Sequence, residues 1–177
     1  TRRSSDLRTC YVNLRTVITV KKCFDRGGYA KADKATVHLI RSKHLRMGSY
    51  GDPAAVPYGV WKLILPEHKR HRTGYTHQWA SPDTDPRLKR ILMASADTPE
   101  ESARAQAMGW RTFEVRPLDA GPGKGFQCPS DPTRENHVSC EKCGLCNGAP
   151  DGVTKSPWIY AHGPSKKRVG SKSLPIL

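Results

Sequence analysis

The sequence predicts an α/β chain, a partial or degenerate barrel of parallel strands with a cysteine-rich metal module on its C-terminal side. Three observations carry this. Between residues 35 and 117, short strand-like runs alternate with helical patterns. One strand–helix–strand unit carries a full helix-capping signal, and such units normally set their strands parallel through a right-handed crossover. Four of the six cysteines fall between Cys128 and Cys146.

Residues 1–34 form a basic N-terminal segment. Val17, Val20 and Phe24 suit one face of a helix, although Thr16-Val-Ile-Thr-Val20 is β-branched enough for a strand. The reading favours a helix ended by Gly27-Gly28. Residues 35–117 form the β/α core. Arg46-Met-Gly-Ser-Tyr50 is its first strand, closed by Gly51-Asp52-Pro53. Pro57 then suits a first helical turn, and Val60, Trp61, Ile64 and Leu65 make an apolar stripe. Gly74-Tyr-Thr-His-Gln-Trp79 and Arg90-Ile-Leu-Met-Ala-Ser95 are the next strands.

The sharpest local signal follows. Thr98 is a helix N-cap, Pro99 stands in the first turn, and Glu101 completes a capping box three residues after the cap. Ala103, Ala105, Ala107 and Met108 extend the helix to Gly109, a left-handed stop. Trp110-Arg-Thr-Phe-Glu-Val-Arg116 is the strand that completes the βαβ unit. Residues 118–163 form the cysteine module, with a Gly/Pro-rich linker at 118–127 and a return strand at Ser156-Pro-Trp-Ile-Tyr-Ala161. Residues 164–177 are a basic tail.

Composition narrows the function classes. The 177 residues suit one domain, or one domain with a small appendage. Hydrophobic residues are only 36%, which predicts a modest core and much loop. No apolar run is long enough for a membrane span, and no signal-like segment opens the chain. The sequence therefore predicts a cytoplasmic protein. Its first residue is threonine, which suggests a processed or fragmentary chain. Thirty Lys and Arg against sixteen Asp and Glu give a formal charge of +14, which favours polyanionic partners, nucleic acid first.

Three constellations can carry chemistry. The strongest is C-x11-C-x2-C-x2-C at Cys128, Cys140, Cys143 and Cys146. A cubane iron–sulfur cluster takes three corners from a compact loop and a fourth from a remote cysteine, often followed by proline, as in Cys128-Pro129. Zinc takes four soft ligands, more often from two separated C-x2-C pairs. An iron–sulfur cluster is the leading expectation and zinc the rival. Cys10 and Cys23 match no compact cluster loop and are excluded; Cys23 is expected as a packing residue.

The second constellation is positional, because α/β sheets bind ligands beyond the carboxyl ends of their strands. Those ends carry Tyr50, Gly51, Asp52, Pro53, Gln78, Ser95 and Arg116 as candidate cofactor-binding residues, with His77 and Asp97 as catalytic candidates. His77 suits a general base near neutral pH, and Asp52 suits an ammonium group. Against this, Gly-Asp-Pro is a common turn and Asp97 can simply begin the capped helix. The third constellation is His68-Lys-Arg-His-Arg72, with Lys69, Arg70 and Arg72 as phosphate contacts beside Trp61 and Tyr75. Arg2-Arg3 and Lys166-Lys167-Arg168 add to that charge. Phosphate-loop, α/β-hydrolase, zincin and Rossmann motifs are all missing.

The stretches Met47 to Pro57, Thr73 to Trp79, Met93 to Pro99 and Gly109 to Val115, with Cys10-Tyr-Val-Asn13 and the cysteine module, look like an uncharacterised family common in phages and mobile elements. More distantly, Gly51-Asp52-Pro53 after a strand is similar to the Gly-Glu-Pro motif of radical S-adenosylmethionine enzymes, which holds the methionine moiety. Thr76-His77 and Ser95-Ala96-Asp97 fall where the next strand ends of such enzymes would be. The resemblance implies a 4Fe-4S protein of radical-enzyme type, with S-adenosylmethionine as a further cofactor and residues 1–34 as the remnant of an upstream cluster region. The chain departs from it in lacking C-x3-C-x2-C, and Cys10 stands alone. The rival expectation is a zinc-stabilised, basic nucleic-acid-binding protein without catalysis.

Overall fold

The computed structural model describes residues 14–149 and 155–162. Its centre is one six-stranded sheet in the order β1-β2-β3-β4-β6-β5, with every pair parallel. The strands are β1 (Leu45–Met47), β2 (Arg72–Thr76), β3 (Met93–Ala96), β4 (Thr112–Arg116), β5 (Phe126–Gln127) and β6 (Pro157–Tyr160). The first four lie side by side in chain order, and β6 then separates β4 from β5. Among the described residues β1 and β5 are the edges of the sheet. The α/β class with parallel strands is as expected.

Two helices precede the sheet. In α1 (Leu14–Asp25) the helical pattern prevails over β-branching, and the chain leaves it through Gly27 at φ 69°. Helix α2 (Lys34–Arg41), which periodicity did not reveal, starts where Asp33 accepts the Thr36 N–H at 2.7 Å. Helix α3 (Tyr58–Ile64) begins after Pro57 as expected. Trp61 is buried, and Ile64 and Leu65 pack against the core, but Val60 turns outward at 46% exposure. Helix α4 (Pro99–Ala107) crosses from β3 to β4. Thr98 Oγ1 accepts the Glu101 N–H at 3.1 Å, while Glu101 reaches one residue beyond the cap to the Asp97 N–H at 2.8 Å. Gly109, at φ 80°, ends the turn.

The expected strands are all shorter than the sequence suggests: β1 and β2 end early, and β3, β4 and β6 begin late. Residues 48–50 turn, 77–79 have left the sheet, and Pro86–Arg90 is a 3-10 turn. In each case polar or turn-forming residues end the pairing. The main core sits on one face of the sheet, where Met47, Trp61, Leu88, Leu92, Ala94, Ala105 and Trp110 pack together. Alternation along β2 buries Gly74 and Thr76 and leaves Thr73 and Tyr75 half-buried. The cysteine loop covers that second face.

No described helix is long and apolar enough to cross a membrane.

Candidate functional site

The cysteines come from three short pieces of chain. Cys128 follows β5, and its N–H donates to the Trp158 carbonyl at 2.7 Å, which fixes it to the sheet edge. Cys140 and Cys143 stand at the two ends of α5 (Cys140–Cys143), a single turn capped by Ser139 and ended by Gly144 at φ 59°. Cys146 follows Leu145, and its carbonyl accepts the Gly74 N–H at 3.3 Å. All four line one cleft with Thr73, Tyr75 and Ser130. Cys128 and Cys146 are buried, Cys143 is half-buried and Cys140 is exposed, so the cleft opens at Cys140.

The cleft has the electrostatics of crowded thiols. Burial pushes the Cys146 thiol up to about 12; the Tyr75 hydroxyl acts the other way, and the three other cysteines add to the rise. Cys128 is raised first by burial, against the Ser130 N–H, with Cys140 and Cys143 contributing. Burial and then Cys146 raise the Tyr75 phenol, which keeps its proton and donates a hydrogen bond to the Cys146 sulfur. Cys140 Sγ lies 3.6 Å from Ser130 Oγ. Among the described residues, no set of three or more His, Cys, Asp or Glu side chains stands in a ready-made metal-holding arrangement. The thiols border the cleft without closing on one point.

Two buried residues that the sequence reading missed hold this region. Arg111, 3% exposed, precedes β4 on the cysteine face. Its Nη1 donates to the carbonyls of Gly148 (2.7 Å) and Leu145 (2.9 Å) and to Asn147 Oδ1 (3.4 Å), and its Nε donates to Lys155 O (2.9 Å). Asn147 in turn donates to the Gly144 carbonyl at 3.1 Å. Asp131, fully buried, accepts from the Thr133 N–H and hydroxyl, Gln127 Nε2 and the Tyr160 N–H. Burial alone would raise its carboxyl, but the donors led by the Tyr160 and Thr133 N–H groups hold it below the ordinary range. A usable sequence signal existed for Arg111: strand alternation puts it on the same side as Phe113 and Val115, where a charge needs a partner.

At the carboxyl rim, Asp52 and His77 do come together, through backbone. Asp52 Oδ1 accepts from the Thr76 hydroxyl at 2.6 Å and the Ala54 N–H at 2.9 Å; Oδ2 accepts from the His77 N–H at 2.8 Å. Asp52 therefore caps the 3-10 turn Pro53–Ala55 and latches it to the end of β2. Pro53 is buried and its carbonyl accepts the Trp61 indole N–H, while Gly51 and Tyr50 are exposed. Gln78 bonds through its backbone to Thr76 and Thr84. Ser95 offers its carbonyl to Trp79 Nε1 at 3.0 Å. The Arg116 guanidinium is engaged by Glu114 and the Gly121 carbonyl. His77 and Asp97 are exposed at the same edge. None of these rim residues lines the cysteine cleft.

The basic run divides. Lys69 and Arg70 are exposed on the 3-10 turn Lys69–His71, whereas Arg72 is half-buried at the start of β2 with Nη2 3.4 Å from the Arg90 carbonyl. Its aromatic neighbours are not available for stacking: Trp61 is in the core and Tyr75 is turned to Cys146. His71 packs against His44 and His68 with ring centroids 4.2 and 5.0 Å away, and burial followed by those two rings lowers its affinity for a proton. Cys23, half-buried, packs against Gly28 and Tyr29 at the end of α1. Cys10, Arg2-Arg3 and Lys166–Arg168 lie outside the described residues.

Comparisons with protein-family models, curated proteins and solved structures give no match.

Proposed function

We propose that the chain is an iron–sulfur protein in which Cys128, Cys140, Cys143 and Cys146 hold one 4Fe-4S centre on the second face of a parallel sheet. The supporting observation is that four thiols from three chain pieces, two of them buried, border a single cleft. Unligated, the buried thiols Cys146 and Cys128 are held protonated, first by burial and then by their cysteine neighbours. A metal takes the place of those protons and stabilises the module. Binding requires the thiol side chains to rotate inward from their present positions. The donor set fits the chemistry of a thiolate-held centre.

Four protein ligands leave no position for an exogenous one, so this centre supplies electrons or structure rather than gripping a substrate. The sequential parallel order of β1 to β4 supports the partial-barrel reading. The resemblance to radical S-adenosylmethionine enzymes then rests on the sheet order and on the rim around Asp52, His77, Ser95 and Asp97, a place for a small ligand such as S-adenosylmethionine that is separate from the four-cysteine centre and not held by it. Asp52 would hold it through the shape of the latched turn, since three donors already occupy its oxygens. A cytoplasmic setting, where thiols stay reduced, suits this reading.

A second reading rests on Lys69 and Arg70, exposed on a turn that packs directly against the module at Gly144. A zinc-stabilised module would then brace a surface for phosphate backbones.

One experiment separates them: metal analysis and visible spectra of the full chain after anaerobic iron and sulfide reconstitution. About four irons per chain with a brown chromophore supports the first reading. A colourless chain that keeps zinc through the same treatment supports the second. Neither metal at stoichiometric level refutes both.

A further inference from the structure

A buried guanidinium is expensive unless something nearby carries negative charge. Arg111 is 3% exposed, and among the described residues its acceptors are carbonyl oxygens and the Asn147 amide, with no carboxylate in contact. Three of those acceptors, Leu145, Asn147 and Gly148, flank Cys146 in the loop itself. Neutral acceptors satisfy hydrogen bonds but do not balance a charge.

We infer that Arg111 is a positioning residue that compensates the charge of the proposed four-thiolate centre and clamps the Leu145–Gly148 loop beside it. The inference rests on the metal reading above. Four thiolates around zinc or around an oxidised cubane leave about two negative charges in a half-buried cleft. Arg111 stands where it offsets part of that charge and fixes the backbone on both sides of Cys146. Outer contacts of this kind typically change metal affinity about 10- to 100-fold.

The test uses the full chain and Zn²⁺ as the probe, in competition with a chromophoric chelator, with circular dichroism to confirm folding. Arg111→Met should weaken Zn²⁺ retention about 10- to 100-fold, and Arg111→Lys should recover part of that loss by restoring the charge. Because Arg111→Met also strands three carbonyls and can disturb folding, a second pair of variants separates charge from clamp. Asn147→Asp gives Arg111 a carboxylate at the present 3.4 Å contact. Asn147→Ala removes the same amide contacts without adding charge. Charge compensation requires Asn147→Asp to retain Zn²⁺ about tenfold less well than Asn147→Ala. Equal retention in those two variants, or wild-type retention in Arg111→Met, overturns the inference while leaving the metal centre standing. A wild-type chain that binds neither Zn²⁺ nor an iron–sulfur cluster refutes the metal reading and the role of Arg111 with it.

Discussion

At Gly144 the cysteine module packs tightly against the 69–71 turn, and replacing it with alanine measures that contact. Gly144 sits at φ 59°, and a Cβ there would lie 2.5 Å from the Arg70 carbonyl oxygen and 2.8 Å from Arg70 Cβ. Left-handed backbone costs an L-residue about 1–2 kcal/mol. Forcing the loop away from a backbone carbonyl adds roughly 1–3 kcal/mol, as overpacking does elsewhere. Gly144→Ala should therefore lose about 2–5 kcal/mol. Gly109 is the internal control: it has φ 80°, but its Cβ would meet only the end of Lys89, at 3.9 Å. Gly109→Ala should lose the backbone part alone, about 1–2 kcal/mol. Urea denaturation of wild type and both variants reads the difference. If Gly144→Ala is no less stable than Gly109→Ala, the module does not press on the 69–71 turn as described.

Serine at Cys128, Cys140, Cys143 or Cys146 should each remove most bound metal from the reconstituted chain, whereas Cys23→Ser should leave the metal content at the wild-type level. Asp131→Asn should cost roughly 2–4 kcal/mol, because an amide cannot accept from all four donors around it. The Asp131 carboxyl lies below its ordinary value in the fold, so its stabilisation is complete above about pH 4 and fades as pH falls through the lowered folded value. The stability gap between wild type and Asp131→Asn, followed by urea denaturation, should accordingly be widest at neutral pH and narrow in acid. Asp52→Ala leaves the fully buried Thr76 hydroxyl and the N–H groups of Ala54 and His77 without their acceptor, and should cost about 2–4 kcal/mol; a loss below about 0.5 kcal/mol would show that water replaces the latch.

Much of the core was legible because its signals are local. Thr98, Pro99, Glu101 and Gly109 define α4 through hydrogen bonds and backbone preferences that need no distant partner. The β3–α4–β4 unit follows from them, and its parallel pairing matches expectation. Strand limits were less legible. Ser49, Tyr50, His77 and Gln78 lie in runs that read as extended, yet pairing stops before them, because what ends each strand is the Asp52 latch between two separate turns. Helix α2 was missed for a related reason. Its apolar residues Val37, Leu39 and Ile40 are few, none of its residues is buried, and its start depends on one Asp33 cap.

The candidate site shows the same division between local and long-range information. Spacing alone singled out the four cysteines, because C-x2-C-x2-C confines three thiols to one turn and its sequel. What spacing does not contain is the wall they face. Tyr75 on β2 lines the cleft and Arg111, just before β4, holds the Leu145–Gly148 loop behind it; parallel pairing, which aligns Tyr75 with Met93 and Ser95 with Phe113, puts both on one face of the sheet. The same alternation sends Thr76 to the opposite face, where it binds Asp52. The cysteine cleft and the rim latch are thus built by consecutive residues of one strand.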